Sequence, residues 1–174
     1  MKPVVLVHGF LTAKRLENIW REIKRYRDLD QIAGSPDTEI GLVIASEGGR
    51  AKKTIELIEK IKRDNIYLTA KIYQAESAAA LLALAATERE IVQHGVFSIH
   101  LGAVTIESCD LAGRGKIPRA RLSELKTVRQ TAFDLLKLSG FPERGPFMDS
   151  LIARNRLALN PEECLELGLV QRII

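Results

Sequence analysis

The sequence predicts an α/β domain with a mostly parallel sheet flanked by helices. Two observations carry that expectation: short β-branched apolar runs alternate with stretches of helical periodicity, and turn residues separate them. Val4-Val5-Leu6-Val7, ended by His8-Gly9, reads as a buried strand. Ala13 to Tyr26 places Leu16, Ile19, Trp20 and Ile23 at helical spacing among lysines and arginines, an amphipathic helix with a basic outer face. Gly34-Ser35-Pro36-Asp37 marks a loop within Arg27 to Thr38. Ile40 to Ile44 reads as a second strand, ending at Ser46-Glu47-Gly48-Gly49. Ala51 to Arg63 follows as a helix with Ile55, Ile58 and Ile61 inward.

Ile66 to Ile72 gives a third strand, and the Ala- and Leu-rich Ala75 to Thr87 a buried helix. Val96 to His100 is a fourth strand. Arg121 to Leu138 is a long amphipathic helix, with Leu122, Leu125, Val128, Ala132, Leu135 and Leu136 as its stripe. Asn160-Pro161-Glu162-Glu163 announces a helix with a capping box, Gly168 ends it, and Leu169-Val170 begins a last strand. The βαβαβαβ order implies right-handed crossovers and helices on the faces of the sheet.

At 174 residues the chain is the size of a single domain, 1–174. With 46% hydrophobic and 28% charged residues it is expected to fold around a core rather than remain disordered. The 5% of aromatics argue against base-stacking platforms, and 26 basic against 22 acidic residues is too weak an excess to imply a nucleic-acid partner. Cys109 and Cys164 lack the close spacing of a zinc or redox pair, so two free thiols in a reducing compartment are expected. The opening Met1-Lys2-Pro3 leads into too short an apolar run for a secretory signal. The longest apolar run, Ala78 to Ala86, is far short of a membrane span, so a cytoplasmic protein is expected.

His8-Gly9 after an apolar strand is reminiscent of an α/β-hydrolase, but the sequence has no G-x-S-x-G elbow, so His8 reads as a strand end before a turn. Gly48-Gly49 lies between a strand and a helix without the spacing of a nucleotide loop. Its uses are a tight turn or an oxyanion hole. Ser77 stands at the start of the apolar helix, where serine commonly serves as an N-cap. The same place suits a nucleophile at the positive end of a helix dipole. His100 ends the next strand. In a parallel sheet Gly48-Gly49, Ser77 and His100 then share the C-terminal edge, where α/β sheets build their sites.

This ordered set resembles the proteolytic subunit of the Clp protease and its relatives in the crotonase-like superfamily. Ser46-Glu47-Gly48-Gly49 stands where that family has Ser-Pro-Gly-Gly. Ala75-Glu76-Ser77-Ala78-Ala79-Ala80 matches its nucleophile segment, Arg89 an arginine before the next strand, and Ile99-His100-Leu101-Gly102 its catalytic histidine. Arg121–Leu138 matches the handle helix. Arg154-Asn155-Arg156-Leu157 through Gly168-Leu169-Val170 matches the closing segment. The resemblance spans about residues 3 to 174. It implies a ββα-superhelix with a handle region at about 103–148.

The resemblance implies a serine endopeptidase acting on peptide or unfolded protein, with no metal or organic cofactor. Ser77 would attack, His100 would move the proton, and Asn155 would orient the imidazole. The amides of Gly48 or Gly49 and of Ala78 would bind the oxyanion. Asn155 stands near the family's aspartate and lacks its charge, which implies a slower enzyme or an inactive one. Asp149 is a substitute if its loop folds back. Glu76 departs from the small residue usual before the nucleophile. Rings of six or seven subunits, with stacking through the handle helix, are implied. A Clp-type ATPase partner stays open, because the family's N-terminal pore segment has no counterpart before the first strand. Two alternatives stand beside this reading. One is an inactive Clp-like scaffold or regulatory subunit. The other is a Ser-Lys peptidase of the signal-peptide-peptidase type, with Lys116 as base.

Overall fold

The computed structural model describes residues 2–32, 39–101 and 119–174. The loop residues Gly34-Ser35-Pro36-Asp37, Cys109, Lys116 and residues 102–118 of the handle region lie outside the described residues. In chain order the elements are β1 (Val4–His8), α1 (Ala13–Ile32), β2 (Glu39–Ser46), α2 (Ala51–Arg63), β3 (Tyr67–Glu76) and α3 (Ala78–Leu84). There follow β4 (Glu88–His100), α4 (Arg119–Leu138), α5 (Pro146–Arg154), β5 (Arg156–Leu159), α6 (Pro161–Glu166) and β6 (Arg172–Ile173).

The six strands form one mixed sheet, ordered β1-β2-β3-β4-β5, with β6 also on β4. All pairs are parallel except β4 with β5. The fold is thus α/β with a mostly parallel sheet, as the alternating pattern predicts. The first four strands lie in chain order, so each crossover steps the same way across the sheet. Right-handed crossovers that never reverse direction put their helices on one face. Val5, Val7, Ile40, Leu42, Ile44, Leu68, Ala70 and Ile72 accordingly point into the core under α1, α2 and α3. The alternate residues stay open: Val4 is 46% and Leu6 60% exposed. The expected flanking helices are present, with α1, α2 and α3 over the buried face of these strands.

Element boundaries moved in informative ways. α1 runs on to Ile32, through the start of the expected loop. β3 extends to Glu76, so α3 is the shorter Ala78–Leu84, buried throughout. β4 begins at Glu88 and not Val96. Its first half pairs Ile91 with Ile72 and its second pairs Val96 with Gln74, with a register shift between them. The last strand falls at Arg172–Ile173, past the expected Leu169-Val170. α6 has the expected capping box: Asn160 Oδ1 accepts from Glu163 N at 2.8 Å, and Glu163 Oε2 from Asn160 N at 2.9 Å.

Two features tie the C-terminal part down. In α4, Val128, Ala132, Leu135 and Leu136 pack against α2 and α3, so this half of the expected stripe is used within the molecule. Arg89 is buried, with Nε donating to Leu169 O and Nη1 to Ala86 O, both at 2.6 Å; its backbone N–H donates to Gln171 Oε1. The arginine expected from the resemblance is a clamp between β4 and the chain end. Burial pulls its pKa down from the usual value.

Candidate active site

The parallel strands β2, β3 and β4 end on one edge of the sheet. β5 runs the other way, so its first residues arrive at that same edge. Gly48-Gly49, Ser77, His100 and Asn155-Arg156 therefore lie on adjoining strand ends, in the order the sequence requires.

Ser77 sits between β3 and α3 with φ 54° and ψ −119°. Positive φ with this ψ is strained for a residue with a Cβ and persists only where the surroundings impose it. The imposing contacts are clear. The Ser77 N–H donates to Ser98 O of β4 at 2.8 Å, and its carbonyl accepts from Leu81 N of α3. Strand pairing holds one side of the turn, and a wholly buried helix holds the other. Ser77 makes no N-cap hydrogen bond with its side chain, although it occupies the N-cap position. The capping role that serine ordinarily plays there is therefore absent, and the partly exposed Oγ has no partner among the described residues.

Gly48 (φ +94°) is pressed against this turn. A Cβ at Gly48 would stand 2.5 Å from Glu76 O, 2.7 Å from Ser77 Cβ and 2.9 Å from Ala78 N. Gly49 is tight on its other side, where a Cβ would lie 2.5 Å from Leu11 O. The expected oxyanion donors separate here. The Gly48 N–H donates to Ser46 Oγ at 3.1 Å, and Gly48 also serves as the spacer that lets the turn approach Ser77. The Gly49 N–H stays outside its bridge with Leu11, which uses Gly48 O and Arg50 N. Gly49 and Ala78 thus keep amides without an acceptor among the described residues. Ser46, fully buried, also donates to Gly9 O at 2.6 Å and so fixes the Gly-Gly turn to the end of β1.

His100 is half-buried at the end of β4, two residues beyond the Ser98 carbonyl that binds Ser77 N. Its pKa is lowered, first by burial and then by Arg156, with Glu76 pulling the other way. The imidazole is therefore kept in the neutral form that can accept a proton. No hydrogen bond joins His100 to Ser77 Oγ in this arrangement. Asn155 takes the left-handed conformation (φ 56°) at the end of α5, and its carbonyl accepts from Leu101 N at 3.2 Å. That bond sets Asn155 beside the His100 segment. Asp149 lies in the first turn of α5, about 9 Å along the axis from Asn155 at 1.5 Å per residue. Asp149, the alternative third residue, therefore lies on a helix and not on a loop.

The sequence reading missed Arg156. It pairs with His100 in the β4–β5 register, and its Nε donates to Ser98 Oγ at 3.2 Å. Its Nη2 reaches Glu76 Oε2 at 3.4 Å, while Gln74 Nε2 donates to Glu76 Oε1 at 2.7 Å. Glu76 is thus held along the strand ends by two partners. The available signal was an acid just before Ser77 and a base just after Asn155, the two residues adjoining the candidate site on β3 and β5.

Among the described residues no helix is long and apolar enough to cross a membrane. Comparison with known proteins finds no family model and no curated protein that matches this chain.

Proposed function

We propose that the chain is a serine-type endopeptidase of the Clp proteolytic type, with Ser77 as nucleophile and His100 as base. The observation that carries this reading is the strained, uncapped Ser77 at a strand-to-helix turn. Strain of about 1–3 kcal/mol at one residue persists where a function or a rigid frame maintains it, and a serine that only capped the helix would not need it. The Ser77 hydroxyl would lose its proton to His100 as it attacks the peptide carbonyl, and His100 would pass that proton to the leaving amine. Gly49 and Ala78 amides would receive the oxyanion. The substrate would be an extended peptide or unfolded protein, and the working form a homo-oligomeric ring.

Two observations favour a second reading, an inactive scaffold of the same type. Asn155 brings no negative charge to stabilise an imidazolium, and Ser77 Oγ and His100 are not joined. Labelling with a fluorophosphonate probe, read by intact mass beside a Ser77→Ala control, separates the two. Stoichiometric labelling lost in the control is expected. A folded protein that takes no label overturns the peptidase reading in favour of the scaffold.

A further inference from the structure

We propose that Arg156 is a positioning residue of the candidate site, tying the strand ends that carry Ser77 and His100 together and setting the charge His100 faces. The inference rests on the reading of Ser77 and His100 as the reacting pair. Its geometry runs across three strands. Arg156 starts β5 directly opposite His100 in the antiparallel register. Its guanidinium then crosses back over β4 to Ser98 Oγ and on to Glu76 of β3. Glu76 and Ser98 are themselves register partners, and Ser98 O holds the Ser77 N–H. A single side chain therefore touches the residue before the nucleophile and the strand two residues before the base.

Among the described residues, two charged groups act on His100. β3 contributes Glu76 and β5 contributes Arg156. Arg156 opposes protonation of His100 and Glu76 favours it, and burial adds to the effect of Arg156. Burial and Arg156 favour the neutral imidazole, and Glu76 works against them. Arg156 is 62% exposed at its side chain, so water and salt screen it and its effect on His100 is modest.

The test follows the His100 titration by NMR in the parent, Arg156→Ala, Arg156→Lys and Glu76→Gln proteins, alongside fluorophosphonate labelling rates from pH 5 to 8. Arg156→Ala should raise the His100 midpoint and slow labelling at the acid end by roughly threefold. Glu76→Gln should lower the midpoint and speed labelling there. Arg156→Lys, which keeps the charge, should stay near the parent. A His100 midpoint unmoved in both Arg156→Ala and Glu76→Gln overturns the proposal. If Arg156→Ala does not fold, a Glu76→Gln midpoint that fails to fall overturns it alone. Midpoints that move as expected in a protein that takes no label support the role of Arg156 and overturn the peptidase reading instead.

Discussion

Gly48 is where a single hydrogen atom decides the shape of the site. Its φ of +94° disfavours any side chain, and the space a Cβ would occupy belongs to the backbone of Glu76 and Ala78. Backbone cannot swing away as a lysine tip can. Gly48→Ala is therefore expected to cost at least about 2 kcal/mol and to displace the Ser77 turn. Fluorophosphonate labelling should fall roughly tenfold or more, since a misplacement of about 1 Å can cost about a hundredfold. Gly41→Ala is the control. Gly41 has no positive φ, and its nearest neighbours would lie 3.5 Å from an added Cβ. A Gly48→Ala protein that labels like the Gly41→Ala protein would remove Gly48 from the site. Cys164 shows the opposite kind of residue: buried, with desolvation pushing its thiol up to about 12, it is a packing group and not a nucleophile.

At the scale of elements, β4 holds the C-terminal part of the chain to the rest. It pairs with β3, β5 and β6, and Arg89 in its first half binds two carbonyls of other segments. Arg89→Ala would leave those carbonyls buried without a donor. A loss of about 3 kcal/mol is expected, read as a lower denaturant midpoint with an unchanged slope. A change under about 0.5 kcal/mol would show that water replaces the guanidinium there. The same strand shows where sequence reading stops. Its second half was legible because Val96, Phe97 and Ile99 are apolar. Its first half was not, because Glu88, Arg89 and Glu90 carry charges that find partners only in the folded chain: Tyr67 with Glu88, Leu169 and Ala86 with Arg89, Arg172 with Glu90. β5 has four residues, too few for a pattern. Ser77, His100 and Gly48-Gly49 were legible because strand ends in a parallel sheet share an edge. Arg156 was not, because its place depends on an antiparallel partner that the alternating pattern did not announce.

For the whole molecule, the unidirectional winding of β1 to β4 leaves one sheet face without helices, and parallel sheets are usually covered on both. On that face Val4 and Leu6 of the edge strand stand exposed beside the partly exposed Val43 of β2. Farther across, the face turns polar, with the Tyr67–Glu88 hydrogen bond and Lys71 over the Tyr73 ring at 5.6 Å. An exposed apolar strip beside a polar field is a candidate contact surface. A ring of the kind proposed would need lateral contacts, and we propose this strip as the surface for them. Stacking of rings would use the first half of α4, where Leu122 is 39% exposed, because the second half is already packed on α2 and α3. The two surfaces make different predictions. Leu6→Asp should break lateral contacts and reduce the particle to monomer, whereas Leu122→Asp should leave single rings. Both positions are exposed, so neither change should unfold the subunit. Sedimentation velocity distinguishes the outcomes. A particle of unchanged mass in Leu6→Asp would remove the open face from the assembly, and with it the reason for its apolar strip.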